Sequence, residues 1–283
     1  MNLNRLIIRI LIFPLLSLLA FETTFARQGS QDTPRNKRRE ASSELRNKLF
    51  QQLLDDYAEL RDCLKTEEGG IGAARDSMTA EEVDLNGDGI PEFEVELTGT
   101  CSCGAHNCSI WVYRGAGQTY ESILDGSGLG LEVLRTSSNG YADLRINAHD
   151  TAATESRTRY KFDGKQYREF NTTVVNLETG ESKPAQRRIV FKPGTSATTV
   201  QGKATLALPD TYLIGARAGQ VMTVQLSAPR KAVTFLVMSP SSQALLADNA
   251  RSWTGKLPES GDYYIIVGSD ERAGTYSMSV GIR

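Results

Sequence analysis

Between Ser42 and Lys65 the large apolar residues fall at Leu45, Leu49, Leu53, Leu54, Tyr57, Leu60 and Leu64. Steps of three and four residues line one face of a helix, so this stretch predicts a single amphipathic helix. Ser42 or Ser43 can cap its start, and Glu44 suits the positive end of the helix dipole. Gly69, Gly70 and Gly72 lie beyond its end. After them the pattern changes to short β-rich runs at 92–98, 109–114, 119–125, 129–135, 141–148, 157–162 and 166–170. Asn139-Gly140 and Asp163-Gly164 mark hairpins, because both turn residues tolerate a positive φ. One helix packed on an antiparallel meander, an α+β module over residues 42–170, is the expected architecture.

Residues 171–186, rich in Asn, Thr, Gly, Lys and Pro, read as a linker. Beyond it the pattern is strands alone, at 187–192, 211–216, 221–227, 233–238, 262–268 and 275–282. In the run 221–227 Met222, Val224 and Leu226 alternate with Val221, Thr223 and Gln225. Six short strands separated by Gly and Pro predict an all-β sandwich over 187–283.

Charge follows the same division. Residues 42–185 hold 14 basic and 25 acidic side chains, and residues 186–283 hold 11 and 6. The formal net charge of −2 over 283 residues therefore averages an acidic stretch with a basic one. No bulk positive field recommends nucleic acid as a partner. At the N-terminus, Arg5 and Arg9 precede an apolar core from Leu11 to Phe21, and Thr24-Phe25-Ala26 offers a small-residue cleavage site. Residues 1–26 thus read as a secretory signal peptide, too short in its apolar part to span a bilayer. Residues 27–41 read as a basic disordered arm. A periplasmic or extracellular protein with no membrane span after signal cleavage is expected.

Three strings in the last hundred residues carry a family resemblance. Ala218-Gly219-Gln220 joins two predicted strands, Leu257 to Tyr263 forms a Leu-Pro-x-Ser-Gly-x-Tyr corner, and Tyr276 to Val280 closes the chain. This pattern resembles the bacterial prepeptidase C-terminal (PPC) domain and its relatives among the periplasmic inhibitors of goose-type lysozyme. The resemblance implies a jelly-roll-like β-sandwich, found both as an accessory to secreted hydrolases and as a free-standing envelope protein. Gly219 and Gly261 fall where turns favour special backbone angles, and Trp253, Leu257, Tyr263, Ile265 and Val267 are expected to face sandwich cores or a neighbouring surface.

The sharpest chemical signal is Asp84-Leu-Asn86-Gly-Asp88-Gly-Ile90-Pro-Glu92. Side-chain oxygens from Asp84, Asn86 and Asp88, a backbone carbonyl at Ile90 and the carboxylate of Glu92 suit a hard cation, and the glycine at the sixth position permits the bend around it. The string resembles the calcium loops of EF-hands and dockerins. It departs from an EF-hand at the twelfth position, Val95, and a strand rather than a helix follows. A structural Ca²⁺ in a loop-to-strand site is the expectation, against an ion-free Asx turn.

Cys63, Cys101, Cys103 and Cys108 form an even set in a chain read as exported, which favours disulfides. Four cysteines allow three pairings. The Cys103–Cys108 turn can close a small loop and leave Cys63 for Cys101, while zinc on Cys101, Cys103, His106 and Cys108 is the alternative. No nucleophile elbow, His-Glu-x-x-His helix or phosphate loop is present, and His149 beside Asp150 lacks a nucleophile signature. The residues therefore predict a non-catalytic binding protein with an envelope protein or glycan as its ligand, and the resemblance implies an inhibitor-like envelope protein. A secreted glycan- or peptide-active hydrolase with an accessory PPC-like domain is the alternative.

Overall fold

The computed structural model describes residues 37–270 and 273–283; the leader read at 1–26 and most of the basic arm lie outside the described residues. The chain is mostly β, with four sheets and three short helices among the described residues. The first part comprises β1 (Arg39–Glu40), α1 (Ser43–Asp56), α2 (Ala58–Leu64), α3 (Gly70–Ser77), β2 (Thr79–Val83), β3 (Glu92–Glu96), β4 (Cys108–Ala116) and β5 (Thr119–Gly128). Strands β1 to β5 pair in sequence order into one antiparallel sheet. A second antiparallel sheet follows from β6 (Leu131–Ser138), β7 (Tyr141–Thr151), β8 (Thr154–Phe162), β9 (Tyr167–Asn176) and β10 (Ser182–Pro184).

The single helix expected over 42–65 is interrupted at Tyr57, whose φ of −124° and ψ of 80° end α1 before α2 begins. The apolar stripe survives the bend. Leu49, Leu53, Leu54 and Leu64, with Phe50, share one buried cluster with Phe93, Val95, Trp111 and Tyr113. Ser42 caps α1 by accepting from the Leu45 N–H at 3.2 Å.

Along β4 the alternate residues Ile110 and Val112 belong to a different cluster, with Leu124, Leu144, Ile146, Tyr160 and Phe162. The first sheet is thus covered on both faces. The two sheets approach so closely that a Cβ at Gly128 would meet the Asn147 carbonyl oxygen at 2.3 Å, a contact only glycine avoids.

The remaining strands are β11 (Arg187–Arg188), β12 (Ala197–Ala204), β13 (Asp210–Ala216), β14 (Val221–Ser227), β15 (Val233–Met238), β16 (Leu245–Ala250), β17 (Ser252–Lys256), β18 (Gly261–Ser269) and β19 (Gly274–Ile282). They form one sheet in the order β11-β13-β18-β15-β16 and another in the order β12-β19-β14-β17. The two share a single buried cluster, which takes Met222, Val224 and Leu226 from β14 and Tyr263, Ile265 and Val267 from β18. Leu257 joins it, and Trp253 packs against it partly buried. Gly219 and Gly261 both adopt positive φ, 86° and 150°.

Two stretches differ from expectation. Residues 171–186, read as a linker, complete β9 and form β10. Lys183 of β10 reaches the buried Asp210 carboxylate at 3.0 Å, where Arg187 and Tyr276 also converge. Residues 37–41, read as the end of a solvated arm, are also built in. Arg39 and Glu40 pair with β2, and Arg38 forms an ion pair with Glu94.

That ion pair answers a cost created by burial. Glu94 is 4% exposed. Burial pushes its carboxyl up to about 7, although the Arg38 charge pulls the other way. The folded chain therefore holds a proton on Glu94 between the ordinary carboxyl value near 4.5 and about 7, where the unfolded chain has released it. Stability should fall as pH rises through that window, by on the order of 1–3 kcal/mol. Urea unfolding at pH 5 and pH 8 with chelator present should show this decline, and Glu94→Gln should reduce it. An unchanged slope in the variant would mean that Glu94 ionises at its ordinary value.

Candidate functional site

The loop between β2 and β3 carries Asp84, Asn86, Asp88 and Ile90, and the fifth residue expected to hold a cation, Glu92, opens β3. Its shape is set by its own side chains. Asp84 accepts from the Gly87 and Gly89 N–H groups at 2.6 and 3.1 Å, and Asn86 Oδ1 accepts from Asp88 N–H at 2.8 Å. Asp88 accepts from Ile90 N–H at 2.7 Å and from the Asn86 amide at 2.9 Å. Gly87 and Gly89 have φ of 78° and 84°, the left-handed region that lets the chain turn around Asp84. Ile90 is exposed, and Asp88 is exposed with it.

Glu92 behaves differently from the other four. It is 4% exposed and accepts from Leu85 N–H at 2.8 Å. Burial raises its carboxyl to about 7, and the nearby Asp88 and Asp84 charges add to the rise. The loop is fixed to the second sheet through Asn86 to Tyr141, and through the Ala142 N–H, which donates to the Leu85 carbonyl at 2.7 Å. Oxygens of the right chemical kind are therefore gathered in one turn. Among the described residues, no group of three or more His, Cys, Asp or Glu side chains is arranged to hold a metal ion.

The cysteines pair as Cys63–Cys101 and Cys103–Cys108. The alternative zinc set on Cys101, Cys103, His106 and Cys108 loses its thiolates to these bonds. Cys63–Cys101 ties the end of α2 to the segment after β3, across 38 residues of sequence.

Beside that bridge lies a feature the sequence reading missed, a cleft of about 560 Å³. Asp56, Tyr57, Glu59, Trp111 and Asp125 line it with the bridge, so its side chains present three carboxylates and no cation. The bend at Tyr57 creates one wall. It sets the Tyr57 ring 5.7 Å from that of Trp111, and the Tyr113 hydroxyl donates to Asp56 at 3.1 Å. Burial and the Asp125 carboxylate push the Tyr57 phenol up to about 12, against the pull of the Ser122 hydrogen bond, so it stays protonated. Trp111 is 3% exposed, and its indole N–H has no acceptor among the described residues. The cleft was invisible in the sequence because its carboxylates come from α1, α2 and β5, and only the acidic excess of 42–185 hinted at it.

No protein-family profile matches the chain, and no curated protein matches it. Among solved structures it is similar to PliG of Aeromonas hydrophila, a periplasmic lysozyme inhibitor of g-type lysozyme. That match has 27% identity and a TM-score of 0.32, and covers 35% of this chain and 96% of that one. The Salmonella Typhimurium PliG matches at 24% identity and a TM-score of 0.29, over 35% and 97% of the two chains. The pre-peptidase C-terminal domain of a Bacillus anthracis collagenase matches at 22% identity and a TM-score of 0.27, over 34% and 93%. These are the two groups that the motifs between residues 218 and 280 resemble.

Proposed function

We infer that this chain is an exported, non-catalytic binding protein of the periplasm or extracellular space. Its acidic cleft would receive a cationic group of a protein ligand. The observation that carries the reading is the convergence of Asp56, Glu59 and Asp125, without a compensating cation, on a cleft walled by the Cys63–Cys101 bridge. Uncompensated carboxylates at a partly enclosed surface attract positive charge and speed its encounter. The two disulfides support an oxidising compartment. A cationic hydrolase, with a lysozyme as the specific case, is the ligand class that the inhibitor resemblance implies.

The same reading includes a structural calcium ion in the loop from Asp84 to Glu92. Asp84, Asn86 and Asp88 supply hard oxygen donors close together in one turn. When bound, the ion would lock the turn that precedes β3. Glu92, buried and raised, would have to release its proton to join them.

A second reading, glycan hydrolysis, is favoured by the presence of three carboxylates in one cleft. Turnover separates the two. Binding of a goose-type lysozyme to the purified, disulfide-intact protein should weaken at least tenfold in Asp56→Asn/Asp125→Asn, and its association should slow as salt is added. Peptidoglycan and casein should yield no soluble product. Unchanged binding in the double variant would remove the cleft from the interface, and product lost in that variant would make the protein a hydrolase.

Calcium is tested by melting. A site of about 0.1 mM affinity stabilises by about 2 kcal/mol at roughly 5 mM calcium, enough to raise Tm by several degrees over a chelator control. The rise should vanish in Asp88→Ala. A melting temperature indifferent to calcium would reduce the loop to a turn.

A further inference from the structure

The chain has two histidines, His106 and His149, separated by 43 positions. The structure brings their rings together, with centres 5.6 Å apart and planes inclined by 70°. This placement is built. His106 lies in the turn closed by Cys103–Cys108, and its neighbour Asn107 grips the backbone of His149 at two points. The Asn107 amide donates to the His149 carbonyl at 2.8 Å and accepts from its N–H at 2.9 Å. Asn107 thus takes the place of a strand partner along the edge of β7. The disulfide limits the turn on one side and the clamp limits it on the other, so the ring separation follows from constraints outside the rings.

We propose that His106 and His149 form a two-imidazole chelate for Zn²⁺. With a nitrogen of each ring turned to a shared ion at about 2.1 Å, each ring centre would lie about 3.2 Å from it, and centres 5.6 Å apart would subtend about 120° at the metal. That angle is near the tetrahedral range of zinc. The cis positions of a square plane, which Cu²⁺ prefers, would bring the centres to about 4.5 Å. His106 is exposed and His149 half-buried, which leaves an entry path and open positions for water. Glu155, opposite His149 in the register, is engaged by Arg157 at 2.8 Å, so two side chains hold the ion. A chelate of this kind binds reversibly, and its ion would bridge the disulfide-closed turn to β7. It shares no residue with the loop from Asp84 to Glu92 or with the acidic cleft.

The test is calorimetric titration of the metal-stripped, disulfide-intact protein with zinc chloride. The expected result is one ion per chain, with affinity falling at least tenfold in His106→Gln and in His149→Gln. Asn107→Ala, which keeps both rings, should weaken binding several-fold, and Asp88→Ala should leave it unchanged. Circular dichroism melting verifies that each variant is folded. No uptake at millimolar zinc would overturn the chelate, as would full affinity in either histidine variant. Loss in Asp88→Ala alone would move the ion to the acidic loop and overturn it equally.

Discussion

The first sheet is buried on both faces, and much of the rest follows from that constraint. Strand β3 reads Glu-Phe-Glu-Val-Glu, so once Phe93 and Val95 join the helix residues in one cluster, its carboxylates must face the second sheet. Glu92 and Glu94 are each 4% exposed as a result. A buried carboxylate without compensation is costly, and the chain responds in two ways. Both groups are raised toward neutral pH, and each gains a partner. Glu92 takes the Leu85 N–H and thereby anchors the turn that starts at Asp84. Glu94 takes Arg38, which also donates to the Leu131 carbonyl at 2.6 Å and draws the N-terminal segment across both sheets.

The bridge from Cys63 to Cys101 has a comparable reach. It joins a helix of seven residues, too short to be stable alone, to the connection between β3 and β4. With α2 held there, Tyr57 lies against Trp111, and the carboxylates of Asp56 and Glu59 border the same space as Asp125. The helix break at Tyr57 and the acidic cleft are therefore one structural fact. The second bridge holds the turn carrying His106 and Asn107, so both disulfides position polar chemistry as well as constraining the unfolded chain.

How much of this was legible depends on whether a feature has a local cause. Strands β14 and β15 begin and end at the expected residues because their apolar positions alternate without interruption. The helical stripe was equally plain, since Leu49, Leu53 and Leu64 are all buried, yet no local signal marks the stop at Tyr57. Strands β12, β16 and β17 went unread because they are mostly exposed or polar, with Thr, Asp, Asn or Gly in place of an apolar alternation. The alternation of β3 marked a strand, and nothing local reveals that a second sheet covers its acidic face. The five residues of the cation-type loop were readable because they are contiguous. The cleft and the histidine pair were not, since each joins elements distant in sequence.

Charge adds a last constraint on how the chain divides its work. The motifs that resemble lysozyme inhibitors lie in the stretch with 11 basic and 6 acidic residues, which would repel a cationic ligand at long range. The stretch with 14 basic and 25 acidic residues contains the cleft. The two are joined by contacts at Asp210, whose carboxylate is 3% exposed and meets Lys183 from the second sheet at 3.0 Å. A buried carboxylate in such a place favours one arrangement over others, because separating it from Lys183 would remove one of the two cations that compensate it and leave Arg187 alone. On the proposed reading the β-sandwich would be an oppositely charged flank, and long-range attraction for a cation would fall on the acidic portion alone. A ligand that approaches by charge would be guided toward Asp56 and Asp125, and the sandwich would add contact only after the encounter.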